Sequence, residues 1–422
     1  MLNQAFLPLA LTSLLALYLA WNLGANDVAN AMGTSVGSKA VTLRQALIIA
    51  GILEFTGAVL FGHEVAGTLA TGVVNPELFA ARPQVLVAGM VAVLISCGLW
   101  LQIATSLSLP VSSSHAVVGA LAGFGWVAVG SQAVDWHAIG LISLTWVITP
   151  LISGAIAACF YSLVKRWILD QTDPIQSLYE WIPWLSAALF SVFGVIVLPS
   201  LSQPIQQFLV FRLGVTLPQH DIPLLIGAIA TMGLTWVSWQ QLSGQGQLED
   251  APRQVERQIG QFQVFSACFV AFAHGSNDVG NAVAPLAAIA YIQQTGLVPT
   301  QNFSVPLWIL VLGGTGIVGG LAVLGKKVIA TIGEGITTLQ PSGGFCAELA
   351  TAATVLLASR LGLPVSTSHA LVGGVVGVGL VKSWRTINFA TIREIGLAWL
   401  VTIPIAAALS ALIFASIRLF WL

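Results

Sequence analysis

Twelve stretches of the chain are apolar over close to the length that a helix needs to cross a bilayer, about 20 residues; this restricts the fold more than any other feature. They run near residues 4–22, 43–62, 84–107, 114–132, 138–164, 184–199, 222–240, 262–292, 305–330, 343–360, 364–382 and 393–421. Charged residues make up only 7 % of the 422, where an ordinary soluble protein carries roughly a quarter. A mean hydropathy of +0.90 agrees. The reading is an all-α polytopic membrane protein. It excludes a nucleic-acid binder, which needs a basic stripe, and a disulfide scaffold, which needs far more than four cysteines. No Lys or Arg precedes Lys39, so the apolar N-terminus lacks the positive region of a signal peptide and is expected to remain as the first span.

The chain repeats itself. Gly24-Ala-Asn-Asp-Val-Ala-Asn-Ala31 matches Gly275-Ser-Asn-Asp-Val-Gly-Asn-Ala282 at six of eight positions. Leu109-Pro-Val-Ser-Ser-Ser-His-Ala-Val-Val-Gly119 matches Leu363-Pro-Val-Ser-Thr-Ser-His-Ala-Leu-Val-Gly373 at nine of eleven. The offsets, 251 and 254, assign both pairs to one duplication. Residues 1–166 form the first repeat, 167–240 two linking spans, 241–261 a polar cytoplasmic loop and 262–422 the second repeat. Seven spans separate equivalent points, an odd number, so the repeats are expected to be inverted. Broken or re-entrant helices would then meet near the midplane. Placing both termini outside puts eleven of the fifteen basic residues on the cytoplasmic side.

Asn26, Asp27 and Asn30, and their copies Asn277, Asp278 and Asn281, stand out first. A carboxylate in an apolar segment is costly unless it is paired or holds a cation. Asn and Asp beside Gly also compete for backbone hydrogen bonds, so the helix is expected to break there. Freed carbonyls, amides and carboxylates are hard oxygen ligands, suited to Na⁺ at Asp27 and Asp278 or to a proton relay. Helix capping is the plainer use of a single Asp; the duplication weighs against it.

Ser112, Ser113 and Ser114, with Ser366, Thr367 and Ser368, each follow a Pro-Val. Proline ends a helix, and three hydroxyl residues before an Ala/Gly-rich run begin another. Free N–H groups, hydroxyls and the positive end of the dipole can hold an oxyanion without a cationic side chain. Two such termini pointing inward would surround a tetrahedral anion. Simple N-capping is the alternative, and His115 and His369 read as serving backbone groups. Glu54 and Glu348 lie deep in apolar runs and are not equivalents of each other, which marks them for coupling or gating. Gly320-Leu-Ala-Val-Leu-Gly-Lys-Lys327 imitates a nucleotide loop but lacks its Ser/Thr and any soluble βα setting. Ser114-His115 is the one adjacent nucleophile–base pair, and its duplication favours binding over hydrolysis.

With these paired motifs the chain resembles the inorganic phosphate transporter (PiT) family over nearly its whole length. The resemblance implies secondary active phosphate uptake coupled to Na⁺ or H⁺, inverted repeats, and a homodimer in the cell membrane. It implies no cofactor beyond the co-transported ion. The family's important acids match Asp27, Asp278, Glu54 and Glu348. Sulfate carriers share the family, but protonated phosphate can donate a hydrogen bond to a carboxylate and sulfate cannot. Na⁺ is favoured over H⁺, because the Asn-rich shell suits a dehydrated ion. An enzyme would need a metal cluster or a nucleophile beside a base, for which the duplicated Ser114-His115 pair is the one candidate and reads as binding. A receptor would be expected to carry a soluble domain, which the sequence does not show.

Overall fold

Backbone polar groups in hydrocarbon must be paired internally, and helices do this within one segment. In the computed structural model, which describes residues 2–107, 109–213, 218, 220–244, 250–300, 303–332 and 336–421, fourteen α-helices form and no sheet is found among the described residues. The first half contains α1 (Leu2–Gly37), α2 (Leu43–Phe61), α3 (His63–Thr71), α4 (Pro83–Ser106), α5 (Ser113–Val129) and α6 (Trp136–Val164). Next come α7 (Pro174–Ile196), α8 (Leu198–Leu213) and α9 (Asp221–Gly244). The second half contains α10 (Ala251–Thr295), α11 (Leu307–Ile332), α12 (Pro341–Arg360), α13 (Thr367–Ser383) and α14 (Phe389–Trp421). Nine of the described helices are long and apolar enough to cross a membrane.

Three sequence expectations change. Helices α1 and α10 run unbroken through Asn26–Asn30 and Asn277–Asn281. Residues 251–261, expected in the polar loop, form the first turns of α10, while 245–249 lie outside the described residues. The segment near 184–199 starts at Pro174, and α8 follows it as a separate helix. The real breaks fall at the Pro-Val-Ser sequences. Helix α4 ends at Ser106 and α5 starts at Ser113; α12 ends at Arg360 and α13 starts at Thr367. At 17 residues each, α5 and α13 are short of a full crossing.

The halves pack reciprocally. Helix α1 lies on α11 as α10 lies on α2, and α5 lies on α14 as α13 lies on α6. Small residues allow these approaches. A Cβ on Gly24 would stand 2.0 Å from the Ile317 carbonyl oxygen, and one on its copy Gly275 would stand 2.0 Å from that of Glu54. Backbone at that distance cannot yield as a side chain can, so overpacking costs at least about 1–3 kcal/mol. Gly275→Ala is therefore expected to lower the thermal midpoint of the detergent-solubilised protein by several degrees. Gly67→Ala, where nothing lies within 4 Å, should leave it unchanged. Equal midpoints would show that α10 and α2 are not held at this spacing.

Candidate functional site

Asn26 and Asn277 show why α1 and α10 remain helical. Their amides do not turn back on their own backbone; they reach the neighbouring broken elements. Asn26 Nδ2 donates to Thr105 Oγ1 at 2.9 Å and to the Leu109 carbonyl at 3.3 Å. Asn277 Nδ2 donates to Ser359 Oγ at 3.1 Å and to the Leu363 carbonyl at 3.2 Å. Both hydrogens of each amide are used on acceptors, which fixes the amide and leaves its Oδ1 free. Asn30 and Asn281 donate to Asp27 Oδ1 and Asp278 Oδ1 one turn earlier, at 3.0 and 3.1 Å.

Asp27 and Asp278 thereby face each other across the junction of the halves. A ligand atom from each, with one from His274, falls within 4.8 Å of the others, and all three residues are buried. His274 Nε2 is 2.8 Å from Asp278 Oδ2, and its Nδ1 is 3.2 Å from Glu54 Oε1. Glu54 therefore joins through an imidazole that has a carboxylate oxygen on each side. Asp27 Oδ2 and the Oδ1 atoms of Asn26, Asn277 and Asn281 are buried without a hydrogen-bond partner among the described residues. Buried orphan oxygens of this kind call for a donor or a cation.

The hydroxyl triplets divide their work. Ser112 and Ser366 are N-caps, accepting from the N–H of His115 and His369 at 3.4 and 3.3 Å. They also pair with Ser114 and Ser368 at 3.0 and 2.9 Å. Capping thus claims the outer positions, and the middle hydroxyls face the acids. Thr367 Oγ1 donates to Asp278 Oδ2 at 3.0 Å, and Ser113 Oγ accepts from Asn281 Nδ2 at 3.3 Å.

Glu348 lies elsewhere. Thr34, Ser35 and Gln263 donate to its Oε1 at 2.6, 2.6 and 3.1 Å, and Ser266 donates to Oε2 at 2.7 Å. Thr34 is seven residues beyond Asp27, which places this cage about 10 Å along α1 from the central acids.

Sequence reasoning missed His274, Thr105, Ser359 and the four donors to Glu348. Three of these left a signal. His274 stands where the first copy has Leu23, one helical turn before Asp278, and Thr105 and Ser359 are related by the same offset of 254 as the hydroxyl motifs. The donors around Glu348 left none, because single hydroxyl residues in helices are common.

The fold and site define a multi-pass helical membrane protein that gathers acids, amides and hydroxyls from both halves in its interior. Residues 23–410 match the phosphate transporter family, and the chain belongs to that family of transporters, not enzymes. An Arabidopsis thaliana protein, inorganic phosphate transporter 2-1, chloroplastic, is 40 % identical over 95 % of this chain and 70 % of its own. A Pyrococcus abyssi protein named as a phosphate permease is 38 % identical over 98 % of both chains. A solved structure, described as the sodium-dependent phosphate transporter, superposes with a TM-score of 0.86 at 37 % identity, covering 98 % of this chain and 99 % of that one.

Proposed function

We propose that this chain imports inorganic phosphate by symport with Na⁺. The observation that carries the reading is the pairing of middle hydroxyls with orphan oxygens. Ser113 and Thr367, each in the first turn of a broken helix, meet a cluster in which Asp27 Oδ2 and three amide oxygens have no partner. In this reading Ser113 and Thr367, with the free N–H groups of α5 and α13, hold the anion, while Ser112, Ser114, Ser366 and Ser368 shape and cap the loops. Na⁺ occupies the oxygens of Asp27, Asn26 and Asn30 on one side and those of Asp278, Asn277 and Asn281 on the other. Glu348, with Thr34, Ser35, Gln263 and Ser266, forms a separate cation station.

Charge explains the coupling. Phosphate carries one to two negative charges near neutrality, and an uncompensated anion deep in the membrane is prohibitively costly. Asp27 and Asp278 add to that cost unless they hold cations, so anion and cations enter together or not at all. Reciprocal packing supports the reading of 1–166 and 262–422 as inverted repeats that rock about a fixed site, with 167–240 as linking spans. The excess of basic residues on one side supports both termini outside, and a homodimer follows from the family resemblance. One observation favours a second reading: the Glu54–His274–Asp278 chain is a path along which a proton could move, which would make the symport H⁺-coupled.

Asp278 beside the hydroxyls favours protonated phosphate over sulfate, since the carboxylate can accept its hydrogen. Purified protein in proteoliposomes is expected to take up labelled phosphate saturably, with excess sulfate failing to compete. Ser113→Ala and Thr367→Ala should each raise the KM for phosphate about tenfold through loss of a buried hydrogen bond. Sulfate uptake that phosphate cannot displace would overturn the assignment.

A further inference from the structure

His115 and His369 lie directly behind the hydroxyl loops and are not used by the transport reading. Each rests in a cage made by the opposite pairing of helices. His115, on α5, stands 3.2 Å through Nδ1 from the Trp399 carbonyl of α14, the helix it packs against. Its ring lies on Trp146 of α6, with centroids 3.8 Å apart. His369, on α13, reverses the arrangement: Nδ1 is 2.8 Å from the Trp146 carbonyl of α6, and its ring stacks on Trp399 at 3.5 Å. The two imidazoles meet edge to face at 4.8 Å. A carbonyl only accepts, so both rings donate from Nδ1. The hydrogen bond of each histidine runs within a helix pair, and its ring contacts join the two pairs. Both Nε2 atoms are buried and unpartnered.

The unequal distances have a cause in the sequence. An α-helical carbonyl is served by the N–H four residues on, and for Trp146 that residue is Pro150, which has none. His369 supplies the missing donor. In α14 the motif is one residue longer: Trp399 is followed by Ile403 at the fourth position and Pro404 at the fifth. The Trp399 carbonyl therefore keeps a backbone partner and shares it with His115, in keeping with the longer contact. The N–H groups of the same histidines bind the caps Ser112 and Ser366. Where the rings are held, the loops are held.

We infer that His115 and His369 are positioning residues that fix the spacing of the two hydroxyl loops and so set the size of the anion cavity. This rests on the anion site proposed above. The test is the kinetics of phosphate and arsenate uptake in proteoliposomes, arsenate serving as the larger tetrahedral anion. His369→Phe keeps a stacking ring but leaves the Trp146 carbonyl without a donor. It is expected to raise the phosphate KM about tenfold and to shift the arsenate-to-phosphate ratio of KM values. His369→Asn, whose Nδ2 can stand where Nδ1 stood, should recover most of the loss. His115→Phe should have a smaller effect, because Ile403 still serves Trp399.

A merely structural role would lower Vmax with KM and the anion ratio unchanged, and that result would overturn the inference. If His369→Phe does not fold, His115→Phe decides: a rise in KM that His115→Asn reverses supports the inference, and wild-type KM and anion ratio in His115→Phe would overturn it. Ser113→Ala in the same assay separates the two levels. If it raises KM while the histidine variants do not, the positioning role alone falls. If it leaves KM unchanged, the anion site falls and takes the positioning role with it.

Discussion

Asp278→Asn is expected to lower phosphate uptake at least about a hundredfold while the protein remains in the membrane at its normal level. No other acid at the centre is as heavily engaged. Its two oxygens take contacts from His274 at 2.8 Å, Thr367 at 3.0 Å and Asn281 at 3.1 Å. Asparagine keeps the shape, so packing is preserved, but it presents an NH₂ where those groups need an acceptor and removes the charge that holds the cation in the proposed mechanism. Asp27→Asn should be equally silent in transport and still milder for folding, since Asn30 donates to its Oδ1 while its Oδ2 accepts no hydrogen bond among the described residues. Initial rates of labelled uptake, normalised to protein in the vesicles, provide the check. Retention of more than about a tenth of the rate, with cation dependence intact, would remove that residue from the proposed ion site.

Much of this architecture is legible in the sequence, because two strong signals are local. Apolar runs of bilayer length give the helices, and the doubled Asn-Asp and Pro-Val-Ser segments mark the central residues. Helix continuity at Asn26–Asn30 is not legible. Asn and Asp disturb a helix only when their side chains bind the local backbone, and here Asn26 and Asn277 bind Thr105, Ser359 and the carbonyls of Leu109 and Leu363 instead. Those partners lie about 80 residues away, beyond any local pattern. The same distance hides the separation of Glu348 from the central acids, since its cage is drawn from α1, α10 and α12. His274 is a different case. It was visible as a polar residue where the repeat has leucine, but only the fold shows it bridging Glu54 and Asp278. In sequence the three hydroxyls of each triplet are equivalent ligands, whereas capping geometry reserves the first and last and leaves Ser113 and Thr367 to face the acids.

Coupling to Na⁺ is the claim on which the rest depends, and ion replacement tests it most directly. Proteoliposomes containing the wild-type protein are loaded with K⁺ and diluted at fixed pH into labelled phosphate with Na⁺, K⁺ or choline outside. A second series holds Na⁺ equal on both sides and imposes an inward proton gradient. If the orphan oxygens around Asp27 and Asp278 are sodium ligands, uptake falls to the level of protein-free vesicles in K⁺ and in choline, and the proton gradient alone drives no accumulation. Uptake indifferent to Na⁺ but driven by the proton gradient would contradict this, and would give the coupling to Glu54, His274 and Asp278 as a proton path.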